Sequence, residues 1–303
     1  MQDFIAISDC SVQELKDLLD DSSSLKAFYK SGGRDLCLAG KTLAMLFEKP
    51  SLRTRISFQV ATTDLGGSPI YVKPEDIGGI GKREPVKDMA RVLSRYFQGI
   101  MARTFEHQTV IDLARYADIP VINALTDWSH PCQAMADVLT IREHFGRIEG
   151  IRTAFIGDGN NVARSLAFAA GKLNMKLVVA SPRGYELDDA TIAKANSFTP
   201  GCTRQVRDPH EAVAAADVIY TDTWVSMGQE NEKEKRLKDF AGFAVDAALV
   251  AAAPRHVKIM HCLPAYRGYE ITDEVAESPG SIMFDQAENR LHFQRALLKH
   301  LMA

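Results

Sequence analysis

Two α/β domains, each a parallel β-sheet flanked by helices and linked by interdomain helices, are the architecture that this 303-residue sequence predicts. Three observations lead there. The length exceeds that of a usual single core. Short apolar runs alternate with segments of helical period, which is the order of a parallel sheet. That alternation comes in two series, separated by an apolar-patterned helix over residues 133–145.

Taken in order, Ser11-Val12-Gln13-Glu14 ahead of Leu15, Leu18 and Leu19 reads as a capping box opening an amphipathic helix. Each of the two capping side chains satisfies an orphan backbone donor of the other residue. The first series then places strands at 42–47, 69–72, 99–102 and 120–124, with helices at 55–65, 86–97 and 108–116 between them. The second places strands at 153–156, 176–180, 218–221 and 257–260, again with helices between. The helix at 133–145 bridges the two series, and a last helix spans 289–302. The mixed charge run from Gln229 to Lys238 reads as a solvated loop or helix face.

Bulk chemistry excludes several classes. With 36 Lys and Arg against 39 Asp and Glu, the net charge of -3 gives no long-range attraction for nucleic acid. An anionic ligand must therefore be held by a local cluster of donors. The five cysteines, Cys10, Cys37, Cys132, Cys202 and Cys262, contain no C-x-x-C pair, which argues against a disulfide framework and a zinc site and for a reducing compartment. No apolar run approaches the roughly 18 residues of a membrane helix, and Met1-Gln2-Asp3-Phe4 does not open a secretory leader. A cytoplasmic protein without membrane or nucleic-acid partners is expected.

The polar groups at the strand ends carry the chemistry. Pro50 disfavours helix at Lys49, so Ser51 falls at an N-cap, with Arg53, Thr54 and Arg55 in the first helical turn. Free N–H groups, the helix dipole, two hydroxyls and two guanidinium groups at one place suit a phosphate. The alternative is a capped helix with surface arginines. Arg103 follows the strand at 99–102, at the carboxyl edge where ligands of open α/β sheets bind. His130 and Gln133 follow the strand at 120–124, one helical turn apart, and offer an imidazole and an amide to a carbonyl oxygen and an amide nitrogen. Asp222 and Ser226 follow a further strand with groups suited to an ammonium. Cys262 ends the last one, where a buried structural cysteine is the alternative. Gly157-Asp158-Gly159-Asn160-Asn161 opens like a dinucleotide fingerprint, but its third glycine position holds Val162. Five strand ends that each deliver polar groups indicate an enzyme acting on a phosphorylated small molecule.

Ser51-Leu52-Arg53-Thr54-Arg55, His130-Pro131-Cys132-Gln133 and His261-Cys262-Leu263-Pro264 together resemble the aspartate/ornithine carbamoyltransferase family in identity, order and spacing. The resemblance spans almost the whole chain. Asp222-x-x-x-Ser226-Met227-Gly228, with the cysteine motif, is similar to the ornithine-using branch of that family. The resemblance implies transfer of the carbamoyl group from carbamoyl phosphate to the δ-amine of L-ornithine, giving L-citrulline and phosphate, with no cofactor and no metal. It implies a carbamoyl phosphate-binding domain over 1–128, on which residues 286–303 pack back, and an ornithine-binding domain over 129–285.

Residue by residue, the resemblance implies that Ser51, Arg53, Thr54 and the Leu52 N–H bind phosphate, and that Arg103 spans phosphate and carbonyl oxygen. It implies that His130 polarises the carbonyl, that Gln133 and the Cys262 and Leu263 carbonyls hold the carbamoyl nitrogen, and that Arg290 completes the site. For ornithine it implies Asn161 and the Met227 backbone at the α-carboxylate, Asp222 and Ser226 at the α-ammonium, and Cys262 at the δ-amine. Arg103, His130 and Cys262 are the implied catalytic groups. A homotrimer, or a multiple of trimers, is implied too. The glycine-rich loop from Ile77 to Glu84 departs from the family pattern, which often carries a Gln there. That loop and residues 228–238 are expected to act as lids. A nicotinamide dehydrogenase and a noncatalytic amino-acid-binding module are the rival readings, and putrescine is a rival acceptor.

Overall fold

The structure is a computed structural model that describes residues 1–226 and 228–303. The chain divides into two compact units, one of Met1–Leu139 with Glu288–Ala303, the other of Thr140–Ala287.

The first unit opens with α1 (Val12–Lys30), capped as its sequence predicts: Ser11 Oγ accepts from the Glu14 amide, and the Glu14 carboxylate accepts from the Ser11 amide. Then come β1 (Thr42–Phe47), α2 (Leu52–Asp64), β2 (Ser68–Val72), α3 (Val86–Tyr96), β3 (Gly99–Arg103), α4 (His107–Tyr116) and β4 (Val121–Leu125). The four strands form a parallel sheet in the order β2-β1-β3-β4. Ala44, Leu46, Ile100 and Ala102 bury one sheet face against Met89, Ala90, Val110 and Leu113 of α3 and α4. Ile80, in the glycine-rich loop, joins this core and anchors the loop.

Helix α5 (Pro131–Phe145) leads from the first unit into the second. The second contains β5 (Arg152–Ile156), α6 (Asn161–Lys172), β6 (Lys176–Ala180), α7 (Asp189–Phe198), β7 (Thr203–Val206), β8 (Val218–Thr221), α8 (Lys233–Asp239) and β9 (Lys258–His261). Its five strands are also parallel, in the order β7-β6-β5-β8-β9. Ala154, Ile156, Ile219 and Ile259 form its core with Val213, Leu249 and Val275. The last helix, α9 (Met283–Met302), returns the chain to the first unit. None of the helices among the described residues is long and apolar enough to cross a membrane.

The fold class is as the sequence predicts, with three differences in detail. β7 is an added edge strand whose sequence, Thr-Arg-Gln-Val, has too little apolar character to register as one. Helix α2 begins at Leu52, directly after its cap, and α9 begins six residues before the expected 289. The charge run is a helix that is not wholly solvated: α8 spans Lys233–Asp239, and Arg236 within it is buried.

Candidate active site

In an open parallel sheet, ligands bind at carboxyl strand ends where the winding reverses. In the first unit the chain runs from β1 outward to β2 and then crosses to β3, so the reversal lies between β1 and β3. The β1 end delivers Ser51 to Thr54 and the β3 end delivers Arg103, with the Glu48 amide bonded to the Arg103 carbonyl at 2.8 Å. In the second unit the reversal lies between β5 and β8, whose ends deliver Asn160 with Asn161, and Asp222.

Ser51 is extended and caps α2, its Oγ accepting from the Thr54 amide at 3.2 Å. That leaves the Leu52 N–H group at the start of a 13-residue helix, and its dipole, for an anion. Thr54 is buried, and its hydroxyl accepts from Arg103 Nη1 at 3.4 Å and from Arg290 Nη2 at 3.3 Å. Arg290 Nη1 reaches Gln133 Oε1 at 2.6 Å. His130 precedes α5, and its carbonyl accepts from the Gln133 and Ala134 amides. Burial, reinforced by the Arg290, Arg103 and Arg53 guanidinium groups, holds the His130 imidazole well below its ordinary pKa. A neutral imidazole among three fixed cations has a proton to share as a hydrogen-bond donor but no charge to give up as an acid.

Arg55 does not take part. It lies over the Tyr71 ring at 4.0 Å and donates to Gln59, so the sequence reading of two converging cradle arginines is corrected. Residues two apart on a helix point about 200° from one another, and Arg53 and Arg55 cannot face one ligand. The second and third guanidinium groups come instead from β3 and α9, as Arg103 and Arg290.

In the second unit Asp222 is the hub. Its Oδ2 accepts from Asn160 Nδ2 at 2.8 Å, and its Oδ1 accepts from the Thr223 amide at 2.7 Å and from Cys262 Sγ at 2.9 Å. Asn160 also caps α6, accepting from the Val162 and Ala163 amides, and Asn161 is the first residue of that helix. Ser226 is half-buried, and its amide donates to Gln229 Oε1 at 3.1 Å. Met227 lies outside the described residues. Two residues that local sequence did not flag hold this segment: buried Arg236 donates to Asp158 Oδ2 at 2.7 Å and to the Trp224 carbonyl at 3.0 Å.

The turn after β9 is held from behind. Leu263 adopts a left-handed φ of 57° before a cis bond to Pro264, and its amide donates to His261 Nδ1 at 2.8 Å. Nδ1 being the acceptor, His261 Nε2 carries the proton and donates to Glu270 Oε1 at 3.1 Å. Glu270 also accepts from the Tyr266 amide. This buried pair fixes where Cys262 and Leu263 sit.

Asp222, His261 and Cys262 have potential metal-ligand atoms within 4.8 Å of one another. Both His261 ring nitrogens are already engaged, by Glu270 and by the Leu263 amide, and the Cys262 thiol donates to the Asp222 carboxylate. The loop that resembled a dinucleotide fingerprint is closed by the chain itself. A Cβ at Gly159 would lie 2.2 Å from the Leu187 nitrogen, and Asp158 is taken by Arg236. The close backbone approach that glycine permits here is to the chain's own 186–187 segment.

The two groups of residues, one in each unit, agree with comparison to known proteins. The family model for the carbamoyl-P binding domain of aspartate/ornithine carbamoyltransferase matches residues 2–143, and the model for the Asp/Orn binding domain matches residues 149–301. An ornithine carbamoyltransferase of Methanocorpusculum labreanum is 50% identical over 99% of this chain and 98% of its own length. One from Thermococcus kodakarensis is 50% identical over 99% of this chain and 96% of its own length. The solved structure of the Pyrococcus furiosus ornithine carbamoyltransferase matches with a TM-score of 0.96 at 48% identity, covering 99% of this chain and 97% of that one. The chain belongs to the aspartate/ornithine carbamoyltransferase family.

Within this carbamoyltransferase, the residues singled out from sequence fall into two groups. Thr54, Arg103, Gln133 and Arg290 are linked by hydrogen bonds in the first unit, beside His130 and the Ser51 cap. Asp222 and Cys262 are bonded in the second, with Leu263 next to them in sequence. Asn161, expected at the α-carboxylate, opens α6, and the side chain that touches Asp222 is that of its neighbour Asn160. His261 and Asp158 stand inside motifs of the sequence but carry no role of their own there, and Arg236 lies within the charge run with nothing local to mark it.

Proposed function

We propose that this chain is an ornithine carbamoyltransferase, transferring the carbamoyl group of carbamoyl phosphate to the δ-amine of L-ornithine to give L-citrulline and phosphate. The observation that carries the reading is the network of Thr54, Arg103, Gln133 and Arg290 around the α2 N-terminus, beside a neutral His130. It joins an anion cradle to donors and an acceptor for a planar amide, and carbamoyl phosphate needs both.

Ser51, Arg53, Thr54 and the Leu52 N–H take the phosphate oxygens. Arg103 bridges phosphate and carbonyl oxygen, His130 donates to that carbonyl, and Gln133, itself held by Arg290, accepts from the carbamoyl nitrogen. The Cys262 and Leu263 carbonyls are assigned to the same nitrogen. For the acceptor, Asn161 and the Met227 backbone take the α-carboxylate, and Asp222 and Ser226 take the α-ammonium.

The neutral δ-amine attacks the carbonyl carbon. Negative charge moves to the carbonyl oxygen, where Thr54, Arg103 and His130 stabilise it as donors already in place. The C–O bond to phosphate then breaks, and the departing phosphate accepts the amine proton. This chemistry uses no metal or organic cofactor. Cys262, whose thiol donates to Asp222, is assigned to the δ-amine, and the cationic groups of the phosphate cradle favour the uncharged form of that amine.

The same reading includes a homotrimer, or a multiple of trimers, acting in the cytoplasm in arginine metabolism. Leu52, Ile56 and Val60, spaced by four along α2, are exposed apolar side chains, which supports self-association through that helix. Citrulline formation from carbamoyl phosphate and ornithine tests the activity, and light scattering tests the assembly.

A further inference from the structure

The amide of Gln133 lies between two groups of opposite hydrogen-bonding character. Arg290 Nη1 stands 2.6 Å from one end of it and Asp137 Oδ1 stands 2.8 Å from the other. A guanidinium has five donors and no acceptor, so the atom facing Arg290 must be the amide oxygen. The NH2 end then points at Asp137, one turn further along α5. Turning the amide over would set NH2 against a guanidinium and C=O against a carboxylate, losing both bonds at once. Gln133 and Asp137 are both buried, so neither end can turn to water instead.

This locks the direction of the amide. Its oxygen has two lone pairs, of which Arg290 uses one. The other can only meet a hydrogen-bond donor, such as an N–H. A ligand that places NH2 there gains a bond, while one of the same shape with a methyl group leaves a buried acceptor unsatisfied. Asp137 acts through Gln133 in this.

We propose that Asp137 is a positioning residue that sets donor specificity, holding Gln133 so that the site prefers an acyl phosphate bearing an amino group over its methyl isostere. The proposal rests on the assignment of Gln133 to the carbamoyl nitrogen. A purely structural role would weaken all ligands alike. A role in orienting the amide changes one ratio, that between carbamoyl phosphate and acetyl phosphate.

The test uses the full chain carrying Asp137→Leu, which keeps the branched shape but removes the acceptor, and Asp137→Asn, which keeps an acceptor oxygen. KM for carbamoyl phosphate is measured with ornithine, and inhibition constants are measured for acetyl phosphate and inorganic phosphate. Asp137→Leu should weaken carbamoyl phosphate by about tenfold, the worth of one hydrogen bond, and leave acetyl phosphate and phosphate within about twofold. Asp137→Asn should restore most of the preference, and Asp137→Leu should add nothing further in a Gln133→Leu background. If Asp137→Leu does not fold, Asp137→Ser, whose hydroxyl is too short to reach Gln133, takes its place with the same expectation. Equal weakening of all three ligands, or an unchanged ratio, overturns the proposal. A wild-type chain that turns over carbamoyl phosphate yet shows no preference for it over acetyl phosphate removes instead the assignment of Gln133 on which the proposal stands.

Discussion

The sulfur of Cys262 lies 2.9 Å from Asp222 Oδ1, and it donates to a carboxylate that also receives Asn160 and the Thr223 amide. The thiol is thus one of three donors that fix the acceptor-side carboxylate. Cys262→Ala removes one of them and the group assigned to the δ-amine, while the phosphate cradle stays intact. Steady-state kinetics should show kcat lowered by at least about tenfold with KM for carbamoyl phosphate within about twofold, and Cys262→Ser should recover part of the loss. Equal turnover in the alanine variant would sink the assignment.

Arg236 braces the segment that leads from Asp222 to Ser226 through the Trp224 carbonyl and Asp158. Replacing it by Met leaves the half-buried Asp158 carboxylate without its cation and releases that carbonyl. KM for ornithine should rise by about tenfold or more, while carbamoyl phosphate KM stays within about twofold. Trp224 stacks on Phe240 with ring centroids 5.3 Å apart, so its emission, read in a Trp128→Phe background, should change without any ligand. Unaltered emission together with unaltered ornithine KM would show that the brace does nothing for the acceptor side.

His130 is held well below its ordinary value of 6.5, first by burial and then by three guanidinium groups. As pH falls through about 6.5 the unfolded chain takes up this proton and the folded chain does not, so stability declines on the acid side. His130→Gln should flatten that part of the Tm-against-pH curve. The same substitution should lower kcat by about a hundredfold or more, as the loss of an oxyanion donor does elsewhere. A His130 titration near pH 6.5 observed by NMR in the folded chain would contradict this account.

Asp217 supplies an acid-sensitive staple in the second unit. Its burial would raise the pKa, but hydrogen bonds from Arg152 and His256 outweigh that and hold the carboxyl below its ordinary 3.8. A depressed carboxyl contributes stability that is present above about pH 3.8 and is lost as pH falls below it. Asp217→Asn should therefore lower Tm at pH 7, with the gap from wild type narrowing towards pH 3. A gap that stays constant over that range would rule out the charge as its source.

The fold was legible because strand and helix periods are local signals, and all but one of the strands could be read from them. β7 was not, since an edge strand with one solvated face carries few apolar residues. The site was legible where ligand-binding groups sit next to each other in sequence, as at Ser51 to Thr54 and at His130 with Gln133. Arg290 came only from the family resemblance, because its partners Gln133 and Thr54 are 157 and 236 residues away in the chain. Arg236 was hidden for the same reason: within a charge run nothing marks the one residue that folding pairs with Asp158, 78 positions earlier. Nothing in the local sequence marks Asp137, because its part lies in what Gln133 must do with its other end.

The most direct test of the account is an acceptor comparison with the purified chain and carbamoyl phosphate, offering ornithine, acetylornithine, putrescine and aspartate and measuring ureido product and phosphate. The account predicts citrulline and phosphate in equal amounts from ornithine, at a kcat/KM well above that of any other acceptor. Carbamoylation of aspartate, acetylornithine or putrescine in preference to ornithine would contradict it.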